Sequence, residues 1–360
     1  MKLASADWQE LLPVFRETFK IWSPGLTKSD YLEYQHRQIN HPWARRNIRH
    51  LTLNCDGKIV SSLKLSSINL QVRGENYRVG GIGAVYTQLE CRNRGYASEL
   101  MEETVELAKK EKFQALILFS DIDCGFYARY GFQEIGAADL LIQLPVLKGK
   151  PVFPPAVEVC EDGAVTIELD GISYELHQER FLPEHLDYAT RHYRQWLRRQ
   201  PYGIDRDQQY YSYKLMRESF LHEHSHLSWP AISITSIKAE GVAAGYAITE
   251  SAGGVLRILE IVAQNKVREA IWAALLVRAL SEKLIRIRAW ESLAADFAPA
   301  FNLKQLINKI GLDELIPQSF KGQLNYYDRS WGRGMLLPFD DKLEDLHLTA
   351  PCPLVELDHL

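Results

Sequence analysis

The chain has 360 residues, 46% hydrophobic and 24% charged, with a formal net charge of −4. That length suits two domains with ample apolar material for two cores, and the slightly acidic balance offers nothing to nucleic acid or an anionic membrane. Five cysteines (Cys55, Cys91, Cys124, Cys160 and Cys352), odd in number and without a Cys-x-x-Cys, argue against a disulfide framework or zinc ribbon and for a reducing compartment. Residues 1–10 mix polar and apolar types and do not read as a secretory signal, and no apolar run approaches the ~20 residues of a membrane span. The expectation is a cytoplasmic enzyme.

Residues 6–22 carry Trp8, Leu11, Leu12, Phe15, Phe19 and Trp22 on one side of a helix that Ser23-Pro24-Gly25 ends. Ser29 starts a second helix through Tyr31, Tyr34 and Ile39, and Arg45-Arg46 reads as a solvated helix end or loop. A strand at 50–54, the Asp56-Gly57 hairpin signal, a long strand over 58–72 and a third over 77–87 follow. The third holds Gly80, Gly81 and Gly83, which suggests a bulge or a close backbone approach. The clearest helix spans 95–112, with Leu100, Met101, Thr104, Val105 and Ala108 on one face. The apolar run 115–119 reads as a strand buried on both faces, and a short helix with Phe126-Tyr127 and a strand over 140–144 complete the unit.

Residues 145–157 hold four prolines and a glycine. We therefore expect a domain over 1–145, a linker over 146–157, a second domain over 158–290 and a C-terminal extension over 291–360. In the second half, helices fill much of 183–224, strands lie near 231–236, 241–250 and 255–263, a helix with Val267, Ile271 and Leu275 on one face spans 266–284, and a strand runs over 285–290. The order resembles residues 50–120. The remainder offers a short helix near 303–310 and strands at 322–327 and 334–338.

The chemistry concentrates at Arg92-Asn93-Arg94-Gly95-Tyr96-Ala97, between a strand and the best helix. A flexible turn at a helix N-terminus presents free N–H groups and partial positive charge. Gly95 lacks a Cβ that would block an anion, and Arg92 and Arg94 add whole charges. This is a pyrophosphate cradle by construction. About thirty residues on stands Phe126-Tyr127-Ala128-Arg129-Tyr130-Gly131-Phe132.

Together the two segments resemble the GNAT superfamily of acyl-CoA N-acyltransferases, matching its Q/R-x-x-G-x-G/A and F-Y-x-x-x-G-F motifs over roughly residues 1–145. The resemblance implies a mixed α+β fold with a central, mostly antiparallel, splayed sheet flanked by helices. It implies acetyl-CoA as co-substrate and no metal. The strand Ala84-Val85-Tyr86-Thr87 would line the pantetheine arm, the strand from Ala115 would splay away near Ser120, and an N–H near Val85–Tyr86 would stabilise the oxyanion. Tyr127 would be the general acid. The base stays open among Asp121, Asp123, Glu90, Tyr86 and water.

The second half lacks the cradle, since Gln264-Asn265-Lys266-Val267 brings no glycine. It reads as a degenerate GNAT-like domain that walls the acceptor pocket. Tyr210, Tyr211, Tyr213, Tyr326 and Tyr327 are candidates for that wall or for core. His222, His224 and His226 invite a metal reading, but they follow a helix with no fourth ligand evident. The tandem layout resembles enhanced-intracellular-survival (Eis) acetyltransferases through Glu269-Ala270-Ile271-Trp272 and Arg286–Trp290. Their terminal carboxylate acts as base, a role that Leu360 inherits only weakly. The first domain is also similar to fungal lysine N-acetyltransferases through Ser120-Asp121 and Phe126-Tyr127. The implied reaction is acetyl transfer to a primary amine, on a small molecule or a peptide, by direct attack in a ternary complex. No nucleic acid or membrane is involved, and homo-oligomerisation is left open. The alternative is a CoA-binding sensor or scaffold without turnover. A third reading, aminoacyl transfer from charged tRNA, is opposed by the cradle and the acidic charge.

Overall fold

The computed structural model describes residues 2–136, 138–149, 151–160, 163–290, 303–313, 315–316, 324–348 and 353–359. In chain order the first half contains β1 (Lys2–Ser5), α1 (Trp8–Trp22), α2 (Lys28–Asn40), α3 (Pro42–Asn47), β2 (Ile48–Cys55), β3 (Lys58–Val72), β4 (Glu75–Thr87), α4 (Tyr96–Lys110), β5 (Ala115–Ser120), α5 (Gly125–Ala128), β6 (Gln133–Gly136) and β7 (Ala138–Gln143). Then come β8 (Val157–Val159), β9 (Val165–Leu169), β10 (Ile172–Arg180), α6 (Leu186–Leu197), β11 (Tyr202–Ile204), α7 (Gln208–His224), β12 (Ser233–Ala239), β13 (Val242–Ala252), β14 (Val255–Ala263), α8 (Asn265–Ser281), β15 (Arg286–Trp290), α9 (Leu303–Lys309), β16 (Leu324–Asp328) and β17 (Arg333–Pro338).

Two mixed sheets organise these elements. The first runs β1-β2-β3-β4-β5-β17-β6, with β11 paired to the far end of β3; the second runs β16-β7-β15-β14-β13-β12-β10-β9-β8. The halves exchange strands. β7, which the sequence suggests as the last strand of the first unit, lies in the second sheet between β15 and β16, and β17 from the C-terminal part lies between β5 and β6. Pairing partners far apart in sequence leave no local signal, so periodicity finds the strand but not its sheet.

Each sheet contains the same run: three antiparallel strands, a helix, then a strand parallel to the third. In the first it is β2-β3-β4, α4, β5; in the second β12-β13-β14, α8, β15. The likeness extends to the irregularities. The parallel β4–β5 ladder stops at Ile82↔Leu118 and β4 then bulges against β3, Ser62 facing Tyr86 and Lys64 facing Gly83. The β14–β15 ladder stops at Ile258↔Ala289, and β14 bulges against β13 at the same point, where Ile248 faces Glu260 and Thr249 faces Ile258. The second unit is a structural copy of the first.

The sequence reading of α8 needs correction. The expected helix is present, but burial is not confined to the Val267, Ile271 and Leu275 face, since Ala270 to Val277 are all buried. A helix apolar all round belongs inside, and α8 packs on β9, β13 and β14 on one side and α9 on another. α4, with its Glu and Lys face, covers one side of the first sheet through Leu100, Met101, Val105 and Ala108. On the opposite side Trp43, Tyr202, Tyr210 and Tyr213 form a second core, and α1, α2 and α7 meet around Tyr31, Tyr34 and Phe220.

In the second unit the space past the β14–β15 ladder holds protein. The fully buried Arg206, just after β11, donates to Asp358 Oδ1 from Nε (3.0 Å) and Nη2 (2.6 Å) and also pairs with Glu260 of β14. Tyr211 and Tyr246 donate to the same Glu260 carboxylate. Removing one partner of a buried ion cluster strands the others, at a typical cost of about 3–5 kcal/mol. Arg206→Met should therefore lower unfolding free energy by about that amount, measured by urea titration.

Candidate functional site

The first unit keeps its wedge open. Beyond Ile82 the β4 backbone loses its partner on the β5 side, while β5 runs on to Ser120, paired along its other edge to β17. Ala84 sits at φ +50, the left-handed region that costs a non-glycine residue strain. The bulge anticipated from the strand glycines thus falls at Gly83–Val85. A cavity of about 720 Å³ occupies the opening. One wall is Gly83 to Thr87, another is Leu118, Phe119, Asp121 and Ile122, and Phe126 and Tyr127 close the side. α2 and α7 roof the far end with Tyr34, Gln38, Tyr213, Lys214 and Arg217.

α4 starts at the mouth of this cavity. Gly95 is its N-cap at φ +84 and Asn93 lies at φ +59, so the chain alternates in and out of the left-handed region ahead of the helix. The first helical bond runs from Glu99 N to Gly95 O at 3.0 Å, so the N–H groups of Tyr96, Ala97 and Ser98 have no intrahelical acceptor. A Cβ built on Gly95 meets no atom within 4 Å. The glycine is needed there for its backbone angle and for clear approach to the amides. Arg92, Asn93, Arg94 and Gly95 are all exposed, and Arg92 and Ala97 border the cavity. Arg92 donates from Nε to Thr87 O (3.2 Å) and lies over the Tyr86 ring at 5.7 Å, which fixes the turn against the end of β4.

Tyr127 is buried, edge-on to Phe126 at 4.9 Å, yet part of the cavity wall. Burial, with Asp121 nearby, pushes its phenol up to about 12. Tyr86 is also pushed up to about 12, by burial first and then by Glu17. A phenol at 12 is ionised only about once in 10⁵ molecules at pH 7, so Tyr86 does not suit the base role. Glu90 and Asp123 are exposed and away from the cavity wall, and Asp123 caps the Gly125 N–H at 3.2 Å. Asp121 does line the cavity. Burial pushes its carboxyl up, but His359, whose Nε2 lies 3.6 Å away, and the Gly332 N–H at 2.9 Å outweigh this and hold it below its ordinary value.

Ser120 is placed differently from the reading that put it on the cofactor. Its hydroxyl is buried, donates to Ile122 O at 2.8 Å and accepts from Ile122 N at 3.3 Å, so it ties the turn after β5 and is absent from the cavity wall. Of the candidate wall tyrosines only Tyr213 reaches the cavity; Tyr210 packs edge-on to Trp43, Tyr211 belongs to the Arg206 cluster, and Tyr327 is exposed. The side chain of Tyr326, Leu360 and Cys352 lie outside the described residues. His222 and His224 occupy the last turn of α7. His222 meets Trp229 O at 2.8 Å and His224 stacks on Phe220 at 4.2 Å. Among the described residues no group of three or more His, Cys, Asp or Glu is arranged to hold a metal, and no helix is long and apolar enough to cross a membrane.

Sequence reading missed the cations under the roof. Lys64 stands on β3 next to the bulge, its ammonium enclosed although part of the side chain faces the cavity. Burial, then the Arg217 charge, lowers it to about 7. Its only hydrogen-bond partner among the described residues is Gln38 Oε1, at 3.5 Å. Between pH 7 and 10.5 the unfolded chain holds the Lys64 proton more often than the folded one, so stability rises with pH across that window. Lys64→Met should flatten the rise and raise the urea midpoint at pH 6.5 more than at pH 10.

Residues 2–135 match the family described as Acetyltransferase (GNAT) domain. Among solved structures, a probable N-acyltransferase from Enterococcus faecalis V583 aligns with TM-score 0.62 and 17% identity, over 93% of this chain and 72% of that one. A GCN5-related N-acetyltransferase from Anabaena variabilis aligns with TM-score 0.59 and 15% identity, over 93% and 72%, and Eis1 from Mycobacterium abscessus with 0.54 and 12%, over 94% and 74%. No curated protein sequence matches the chain. At these identities the structures speak for fold, and they do so across both units. Residues 2–135 therefore match a GNAT acetyltransferase domain family, and the fold of the similar structures extends over the unit behind it.

Proposed function

We propose that the protein transfers an acetyl group from acetyl-CoA to a primary amine by direct attack in a ternary complex. One observation carries the reading. The open backbone edge of Gly83–Thr87, the uncapped N–H groups at the start of α4 and the phenol of Tyr127 all border one cavity, or its mouth. An acyl-CoA needs those features in that order: amides for the pantetheine arm, donors for the pyrophosphate, and a proton donor near the sulfur. The similarity to a GCN5-related N-acetyltransferase supports acetyl as the group moved.

Arg92, Asn93, Arg94, Gly95, Tyr96 and Ala97 would cradle the pyrophosphate, through helix-start amides and two guanidiniums. Ala84, Val85, Tyr86 and Thr87 would line the pantetheine arm, the backbone groups on the edge that β5 leaves meeting its amides, and an N–H beside Val85 would face the developing oxyanion. Ser120 contributes the turn that holds β5 away. As the amine nitrogen bonds to the acetyl carbon, the C–S bond breaks, the nitrogen gives up a proton to water and the sulfur leaves as thiolate. Tyr127 stays protonated at neutral pH. Full proton transfer from a phenol at about 12 to a thiolate with a thiol pKa near 8.5 is uphill by about 5 kcal/mol. Its contribution is then mainly a hydrogen bond to the departing sulfur. Asp121, ionised and held low, suits holding the incoming ammonium more than removing its proton.

Acetyl-CoA at a hundredfold excess over its dissociation constant should stabilise the fold by about 2.7 kcal/mol, with thiol release once a competent amine is added. Gly95→Glu should abolish the thermal shift, because a carboxylate would occupy the cradle; unchanged affinity would remove the site assignment. Tyr127→Phe should leave the shift intact and lower kcat about ten- to a hundredfold, the worth of a hydrogen bond to a charged group, whereas wild-type turnover would return Tyr127 to a packing role.

A further inference from the structure

Three basic side chains line the far end of the cavity: Lys64 from β3, and Lys214 and Arg217 from α7, with both lysines held below their ordinary values by burial and by the Arg217 charge. Lys214 is engaged, donating to the His359 carbonyl at 2.5 Å. The other two are not balanced. Arg217 donates its Nε to the Tyr34 hydroxyl at 3.3 Å and lies over the Tyr213 ring at 5.9 Å, but among the described residues its two terminal nitrogens have no hydrogen-bond acceptor. Lys64 has only the long contact to Gln38. Among the described residues no carboxylate lies within 4.0 Å of any of the three ammonium or guanidinium groups. The cavity does have two carboxylates of its own, but Asp121 is held by Gly332 and His359, and Glu218 accepts from the Trp229 indole at 3.1 Å.

Enclosing unpaired like charges is costly, and natural sites keep them where a ligand supplies the counter-charge. Arg217 and Lys64 repel, as the lowering of Lys64 by Arg217 shows; an anion between them would turn that repulsion into two attractions. A guanidinium with two free terminal nitrogens also has the fork geometry that carboxylates and phosphates match. Resting on the acetyl-transfer reading, we propose that the amine acceptor carries an anionic group, a carboxylate or a phosphate, which docks against Arg217 and Lys64 and presents its amine to the thioester at the β4 bulge. The acceptor class is thus amino acids or aminoalkyl phosphates, and polycationic amines are selected against by the same charges.

The test compares kcat/KM for thiol release from acetyl-CoA across the free amino acids and their carboxamides, and phosphoethanolamine against ethanolamine. At least one anionic amine should exceed its uncharged counterpart tenfold or more. Arg217→Gln should collapse that ratio through KM, Arg217→Lys should restore part of it, and acetyl-CoA stabilisation should persist in both variants. Preference for an amino acid identifies a carboxylate, and preference for phosphoethanolamine a phosphate. Equal or better use of the uncharged partners, an unchanged ratio in Arg217→Gln, or no release with any anionic amine would overturn the inference while acetyl-CoA stabilisation leaves the acetyl-transfer reading standing. Loss of that stabilisation in the wild type would overturn both.

Discussion

A parallel strand pair that stops early governs this molecule. β4 and β5 hydrogen-bond for four residue pairs, from Val79↔Ala115 to Ile82↔Leu118, and then diverge. Divergence leaves backbone donors and acceptors that must find partners, because buried peptide groups are rarely left unpaired. The fold answers this need in two ways. In the first unit the edge faces a cavity of about 720 Å³ beside a helix start. In the second the equivalent ladder also stops after four pairs, but protein fills the space with Arg206, Glu260 and the turn Glu356–Asp358. One geometric device has become a candidate site in one copy and a structural staple in the other.

The staple has consequences for the site. Asp358 is bound by Arg206, and its neighbour His359 touches Asp121, Phe119 and Trp331 and accepts from Lys214. The C-terminal segment therefore runs from the core of the second unit to the edge of the cavity in the first. Strand exchange through β7 and β17 and the pairing of β11 with β3 bind the units further. α7 belongs to the second half of the chain, yet it roofs the cavity and brings Tyr213, Lys214 and Arg217 to it. The charge at that end of the cavity is thus largely set by the second half of the chain.

How much of this the sequence showed follows the range of each interaction. The glycine turn at Arg92–Ala97, the helix behind it and the Phe126-Tyr127 pair are local, and their side-chain types announce them. The bulge was legible too, because Gly80, Gly81 and Gly83 weaken a strand in a recognisable way, although the left-handed residue turned out to be Ala84. Exchange of β7 and β17 was not legible, since register between distant segments leaves no periodic trace. Nor was the Lys64–Arg217 pair, whose members are 153 positions apart and sit on a strand and a helix that look unremarkable alone. A serine at the end of a strand can face either a ligand or its own turn, and the bonds of the Ser120 hydroxyl to Ile122 are not visible in the sequence.

The most direct test of the account is the stoichiometry of acetyl-CoA binding, measured by isothermal titration calorimetry on the wild type and on Gly95→Glu. One site per chain, absent from the variant, is the predicted result. Two sites, or one that survives the variant, would mean that the filled wedge of the second unit or some other surface binds the cofactor, and no binding in the wild type would contradict the reading of the first wedge altogether.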